Sequence, residues 1–272
     1  MKSLDNQIAL ITGGSSGIGL ALARLLALQG CHVWLLARRI EQLKAALASL
    51  PGKVNQRHGI LTADVSQWEA VQAAVSMMKH QIGCPDIVIN AAGITHPGYV
   101  QELPLEIFER MMAVNYLGTV YTVKALLPEM IPRGTGHIVN ISSVAGFLGV
   151  FGYSAYGASK YAVRGFTDVL RVELKPLGIQ VSIVFPPDTD TPQLAYETPF
   201  KPAETRALSR NAGVLSAEQV AREILQGIQK NKTVILPGRE TKILFFLHHV
   251  LGSRVYGIMD KLVEQARRSA GK

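Results

Sequence analysis

Cysteine is scarce in this chain: Cys31 and Cys84 are the only two among 272 residues. Their spacing suits neither a metal site nor a disulfide framework. Both sit among apolar residues, so they read as free, buried thiols of a reducing compartment. Charge is low as well, at 18% of residues, and acids are the minority, 20 against 28 Lys and Arg. The resulting formal charge of +8 favours anionic partners: phosphorylated small molecules, acidic membrane surfaces or nucleic acid. No long basic run with interleaved aromatics occurs, so no nucleic-acid partner is expected. No apolar run reaches the roughly 20 residues that a membrane helix needs. The polar stretch from Met1 to Gln7 reads as neither a signal peptide nor an anchor. Internal repeats and low-complexity linkers are missing too. What remains is a 48% hydrophobic, globular composition with enough length for one large domain.

Short apolar runs alternate with amphipathic segments along the chain. Strands are predicted at Ile8–Thr12, Cys31–Ala37, His58–Ala63, Ile87–Asn90, Gly136–Ile141, Ile179–Phe185 and Thr233–Leu236. Helices are predicted at Ile18–Leu28, Ile40–Leu50, Gln67–Gln81, Leu105–Ile131, Tyr153–Leu177 and Ala217–Lys230, with Pro128 placed to kink or end the fourth. Strands without polar alternation are covered on both faces, which means a parallel sheet. Right-handed crossovers then give an α/β fold: a single doubly wound Rossmann domain with a seven-stranded parallel sheet flanked by helices. Residues 1–238 are assigned to this domain, with a Pro/Thr-rich substrate loop at 186–215, and 239–272 to a C-terminal helical extension.

Four places carry chemistry. Thr12-Gly13-Gly14-Ser15-Ser16-Gly17-Ile18-Gly19 joins the first strand to the first helix. Glycines there let backbone N–H groups approach a phosphate at a helix N-terminus. Arg38 and Arg39 follow the second strand, where a carboxylate would meet a ribose 2′-hydroxyl and an arginine suits a 2′-phosphate. That choice favours NADP(H) over NAD(H). Asp64 and Val65 end the third strand, within reach of an adenine ring, although Asp64 or Ser66 could equally cap the next helix. Asn90, Ala91, Ala92 and Gly93 end the fourth strand and leave room for a flat ligand. Finally, Tyr156 and Lys160 are four residues apart on one helix face. An ammonium near a phenol favours the phenolate and brings its pKa down toward neutrality. Ser143 lies upstream, able to hold a substrate oxygen.

These motifs resemble the short-chain dehydrogenase/reductase family from about Ile8 to Leu236. The resemblance implies a tetrad of Asn115, Ser143, Tyr156 and Lys160; Ser143 is chosen over Ser142 because it precedes the tyrosine by thirteen residues. It implies hydride transfer between NADPH and a carbonyl carbon. Ser143 would polarise the carbonyl, Tyr156 would give the proton, Lys160 would acidify Tyr156 and hold the nicotinamide ribose, and Asn115 would position a water leading to solvent. Gly13, Ser15, Ser16, Gly17, Ile18 and Gly19 would contact the phosphates. Pro186, Thr189 and Thr191 would meet the nicotinamide end. Pro187 stands where the family usually has glycine, which stiffens this loop. Asp188 and Asp190 read as turn and capping residues, and no metal is expected.

The string from Phe185 to Pro192, with Lys201-Pro202-Ala203-Glu204-Thr205, resembles the 3-ketodihydrosphingosine reductase subfamily. That resemblance implies a long-chain lipid ketone as substrate, with Leu194, Tyr196 and Phe200 lining its channel. Another lipophilic carbonyl (steroid, retinoid or 3-oxoacyl) is the second reading, and a non-catalytic NADP(H) sensor the third. Membrane-anchored members carry an N-terminal span, whereas this chain opens almost directly on its first strand, as expected of a bacterial-type member. Ile243 to Leu251 is strongly apolar, with Arg239, Lys242, Arg254, Lys261, Arg267 and Arg268 around it. It suits a membrane interface, or burial against the substrate loop or a second subunit. A dimer or tetramer is implied, in the cytoplasm, with peripheral contact at the cytoplasmic membrane face as an option.

Overall fold

The side-chain alternation of each strand decides where the helices lie. In β1 (Ile8–Thr12), Ala9 and Ile11 face one side while Leu10 faces the other. The same division holds in β2 (His32–Ala37), with Val33 and Leu35 opposed to Trp34 and Leu36. Both faces are apolar, so each must be covered. Between these strands runs α1 (Gly17–Leu28); α2 (Ile40–Ala48), β3 (Gly59–Thr62) and α3 (Trp68–Ile82) follow, then β4 (Ile87–Asn90). The computed structural model describes residues 3–52, 55–209 and 213–269; positions 210–212 of the substrate loop lie outside the described residues.

The second half begins with α4 (Leu105–Met111), a π-turn over Met112–Leu117, and α5 (Gly118–Arg133). The sequence predicts one helix over Leu105–Ile131, with Pro128 kinking or ending it. Instead Pro128 and Pro132 both lie inside α5. Pro128 is on the exposed side, where the carbonyl it leaves unbonded meets water, while the buried Leu126 and Met130 pin the helix to the sheet. Then come β5 (Gly136–Ile141), α6 (Ser154–Leu174) and β6 (Ile179–Val184). The stretch read as an open loop is largely structured: β7 (Thr189–Asp190), α7 (Pro192–Glu197), α8 (Ala203–Ser209) and β8 (Leu215–Ser216), with β7 and β8 paired in parallel. The chain continues through α9 (Ala217–Gln229), β9 (Val234–Ile235), α10 (Arg239–Leu251) and α11 (Arg254–Ser269).

The main sheet has seven strands, all parallel, in the order β3-β2-β1-β4-β5-β6-β9. The order reverses direction between β1 and β4, so a crevice opens at their C-terminal ends. One core joins α1 and α9 to the sheet through Leu22, Leu26, Val220 and Ile224. The opposite core joins α3, α5 and α6 through Val71, Met78, Val123, Leu126 and Leu170. A further apolar cluster of Phe147, Ile183, Phe185 and Val255 gathers Phe245 and Met259, and so ties α10 and α11 to the end of β6. Phe147 meets Phe245 edge-on at 5.1 Å and Phe185 at 5.2 Å between ring centroids. No helix among the described residues is long and apolar enough to cross a membrane.

Candidate active site

The crevice is a cavity of about 510 Å³. Its floor is the β1–α1 turn, and the close packing there requires glycine. A Cβ on Gly13 (φ +67°) would sit 2.8 Å from the Ala91 carbonyl oxygen, and one on Gly19 would overlap the Gly13 carbonyl oxygen. The turn therefore presses against the loop after β4, where the Ala92 N–H also donates to Thr12 Oγ1 at 3.2 Å. Ser15, Ser16, Gly17 and Ile18 line the cavity beside them. The bare backbone at the start of α1 leaves space and unbonded N–H groups for a phosphate.

Arg38 and Arg39 line the far end. Arg38 Nη1 lies 3.6 Å from Asp64 Oδ2, with more than half of its side chain exposed. Burial raises the Asp64 pKa, but hydrogen bonds from the Ser66 N–H and hydroxyl, with Arg38 nearby, hold it below its ordinary value. Asp64 is thus bonded to Ser66 at 2.9 and 2.7 Å, and neither caps α3, whose N-cap position falls to Gln67. Val65, Ala91 and Gly93 line the same cavity. Asn90 does not: it is buried in β4 and donates to Asn140 Oδ1 at 2.8 Å, behind the crevice wall. Its small neighbours, not Asn90 itself, make the room.

Ser143, Tyr156 and Lys160 converge on the cavity beside Gly93. Ser143 precedes a short 3-10 turn, Val144–Gly146, and its hydroxyl oxygen accepts from the Ala145 N–H at 3.1 Å. Tyr156 sits in the first turn of α6 and is 8% exposed. Lys160 Nζ donates to the Ile141 carbonyl oxygen at 3.0 Å and stands 5.6 Å from the centre of the Tyr156 ring. A Cβ on Gly93 would come within 3.4 Å of Lys160 Nζ. Burial lowers the Lys160 pKa to about 8.

The expected acidic phenol is not what the structure holds. Burial pushes the Tyr156 pKa above its ordinary value; hydrogen bonds to Ser143 and Gln193 pull it back, and the Glu197 and Asp188 carboxylates push it up. Lys160 is turned to a carbonyl rather than to the phenol. A phenol so placed keeps its proton at neutral pH, as a donor must, but the upward shift makes it a weaker acid than the one expected.

Asn115 lies in the π-turn, 1% exposed and off the cavity surface. Its amide clamps the loop after β4: Nδ2 donates to the Ile94 carbonyl at 3.0 Å and Oδ1 accepts from the Ile94 N–H at 2.8 Å. Nδ2 also reaches Ser159 Oγ at 2.8 Å, next to Lys160. A π-turn widens the helix by one residue and recurs at functional sites. Here it turns Asn115 toward the lysine's neighbour.

Pro186, Thr189 and Thr191 form the roof. Thr189 Oγ1 donates to the Pro187 carbonyl at 2.8 Å, and Thr191 caps α7 by accepting from the Leu194 N–H at 3.4 Å. A Cβ on Gly17 would come within 3.1 Å of the Thr191 methyl, so roof and floor nearly touch. Leu194 lines the cavity as expected. Tyr196 and Phe200 do not: they are 51% and 45% exposed and pack on His96, with Phe200 at 4.4 Å between centroids. Helical spacing in α7 points Tyr196 away from Leu194, and Phe200 lies beyond α7, at the end of a 3-10 turn over Thr198–Phe200.

Sequence reasoning missed Tyr153 and Glu197. Tyr153 Oη donates to Glu197 Oε1 at 2.7 Å, and burial together with that carboxylate raises its pKa far above the ordinary value. Leu244, Met259 and Leu262 close the cavity from α10 and α11. Arg267 Nε lies 3.4 Å from the buried Glu204 in α8. The extension therefore lies on the substrate loop, one of its expected placements, while Ile243, Phe246 and Val250 face outward at 51%, 65% and 64% exposure. Cys31 is buried, and burial with nearby Asp86 and Asp5 pushes its pKa up to about 12; Cys84 is only partly buried.

A family model described as short chain dehydrogenase matches residues 7–201. The chain is 40% identical over 234 residues to a 3-ketodihydrosphingosine reductase of Mus musculus, covering 84% of this chain and 70% of that one. Among solved structures, a short chain dehydrogenase/reductase from Burkholderia phymatum in complex with NAD superposes with a TM-score of 0.82 at 27% identity, over 92% of this chain and 95% of that one. A variant of actinorhodin polyketide ketoreductase with NADPH superposes with a TM-score of 0.76 at 30% identity, over 87% and 97%.

Proposed function

The chain belongs to the short chain dehydrogenase family, and from that premise we propose that it is an NADPH-dependent reductase of a long-chain lipid ketone, 3-ketodihydrosphingosine above all. The observation that carries this reading is one cavity that holds the glycine floor, Arg38 and Arg39, the Ser143–Tyr156–Lys160 group and an apolar wall of Leu244, Met259 and Leu262. The 40% identity to the mouse reductase supports the substrate.

NADP(H) fits the residues present: the cradle at Gly13 and Gly19 has no room for a Cβ, and two guanidinium groups lie where a 2′-phosphate needs charge. When bound, it supplies the hydride. Gly13 to Gly19 hold the diphosphate, Arg38 and Arg39 the 2′-phosphate, Asp64 and Val65 the adenine edge, and Pro186, Thr189 and Thr191 the nicotinamide end. Ser143 donates to the substrate carbonyl oxygen as negative charge gathers there. Tyr156 Oη transfers its proton to that oxygen. Lys160 brings positive charge beside Tyr156, and Asn115 keeps the Ile94 loop and Ser159 in place around it.

The apolar wall continues outward as Ile243, Phe246 and Val250, spaced along one stripe of α10. With Arg239, Lys242 and Arg254 around them, they suit an anionic membrane interface, from which a lipid would enter the cavity. The free thiols support a cytoplasmic location. The outward Val169 and Val172 of α6, 58% and 62% exposed, supply a face for a dimer, which light scattering on the purified protein would test.

The similarity to a polyketide ketoreductase favours one rival, a 3-oxoacyl substrate. Oxidation of NADPH and of NADH, followed by absorbance with a long-chain 2-amino-3-ketone, a 3-oxoacyl thioester and a steroid ketone, separates the readings. The proposal expects the first ketone with NADPH to give the highest kcat/KM. A preference for the thioester would replace it.

A further inference from the structure

Next to Tyr156 stands a charged cluster that ketone reduction alone does not call for. Glu197 ends α7, is 5% exposed and lines the cavity. Its Oε1 takes both the Tyr153 hydroxyl, at 2.7 Å, and Lys201 Nζ, at 3.1 Å. Its Oε2 takes no hydrogen bond among the described residues. Lys201 Nζ also lies 3.4 Å from Asp188 Oδ2, and Asp188 lines the same cavity. Two carboxylates and one ammonium leave one formal negative charge in excess. The Lys201 and Glu197 side chains are 6% and 7% exposed, so water screens that pair little, whereas Asp188, at 34%, is screened more.

Such a charge opposes the reaction. The carbonyl oxygen becomes negative in the transition state, and a nearby carboxylate raises the energy of that state. Its reach to the reacting group is direct: Tyr153, which holds Glu197, has its ring 5.8 Å from that of Tyr156, and both carboxylates push the Tyr156 pKa up. Tyr153 and Lys201 fix Glu197 through one oxygen and leave the other to the cavity. Oε2 is not sealed from water, and a ligand that displaces that water leaves a costly unpaired charge unless it brings a cation to it.

We infer that Glu197, through Oε2, together with Asp188 forms a subsite for a substrate ammonium, and that the enzyme selects ketones bearing an amine on the carbon next to the carbonyl. The inference rests on the reading of the chain as a long-chain ketone reductase, and it adds the residues that choose among such ketones. The ammonium cancels the excess charge only when the right substrate is bound. A ketone without the amine meets the uncompensated carboxylate.

The test uses the full-length protein with NADPH and three ketones of equal chain length: the 2-amino-3-ketone, its N-acetyl derivative and the 3-ketone without nitrogen. Wild type is expected to favour the free amine over both others by about tenfold or more in kcat/KM, the scale of one charge-assisted hydrogen bond. In Glu197→Gln the ratio is expected to fall to near one, and in Asp188→Asn to fall in the same direction. Should Glu197→Gln not fold, the wild-type ratio and the Asp188→Asn ratio still decide. Equal kcat/KM for all three ketones in wild type overturns the subsite and leaves the reductase reading standing, and an unchanged ratio in the folded variants removes these residues from it. Reduction of none of the three overturns both.

Discussion

Lys160 Nζ points at the Ile141 carbonyl oxygen, 3.0 Å away, and not at the Tyr156 hydroxyl. Lys160 and Tyr156 share a helix face, but they divide the work: the phenol stays protonated, and the ammonium is the group that titrates near neutrality. Burial brings the Lys160 pKa to about 8. The rate of reduction, kcat/KM, is therefore expected to fall as pH rises past about 8, because the positive charge beside the site is lost. A flat profile to pH 10 would contradict this.

The same shift makes a stability prediction. The folded-state pKa of Lys160, about 8, lies below the ordinary value of 10.5. Between those values the unfolded chain binds the extra proton, so stability rises with pH through that window and is lost as pH falls toward 8. Urea unfolding of wild type and of the Lys160→Met variant, from pH 7 to 10.5, should show wild type gaining on the variant with rising pH. A difference independent of pH would mean that Lys160 titrates normally.

Gly19→Ala tests the floor. Its methyl group would overlap the Gly13 carbonyl oxygen, and the turn must shift by a few tenths of an ångström or more. NADPH affinity by fluorescence titration is expected to drop at least tenfold, roughly 1.4 kcal/mol, with the fold retained by circular dichroism. Unchanged affinity would separate this turn from the cofactor.

Much of this site is legible in the sequence because its parts are local. The glycine turn, the apolar strands and the Tyr156–Lys160 spacing each follow from residues a few positions apart. Ile87 to Asn90 and Gly136 to Ile141 were recognisable to the residue, since an apolar run bounded by polar or small residues leaves a strand no freedom to slide. Glu197 and Tyr153 were not recognisable: they are 44 positions apart and meet only after α7 folds back over the cavity. Tyr196 and Phe200 misled for a related reason. An aromatic in a loop can face either way, and His96, about a hundred residues upstream, draws both outward. Asn90 looked like part of the ligand face, yet the strand's alternation turns it toward Asn140.

Arg38→Ala with Arg39→Ala is expected to weaken NADPH binding about 10- to 100-fold, the loss of one charge-assisted contact to a phosphate. NADH binding should change little. The two affinities, measured side by side, check it, and an equal loss for both would assign the arginines to the common part of the dinucleotide or to the fold.

On α10, Phe246→Glu with Val250→Glu removes two exposed apolar side chains and adds two like charges. Flotation with vesicles of phosphatidylcholine and phosphatidylglycerol is expected to lose at least about tenfold in binding, while a short, water-soluble ketone is reduced at the wild-type rate. Equal flotation of variant and wild type would remove α10 from the membrane.

The most direct test of the account is Tyr156→Phe. Wild type and variant are compared for NADPH oxidation with a long-chain 2-amino-3-ketone, with the alcohol product followed by mass spectrometry and NADPH affinity measured in parallel. Reduction is expected to fall by about 10²- to 10⁴-fold with NADPH affinity within about twofold of wild type. Turnover at the wild-type rate by the variant would contradict the account.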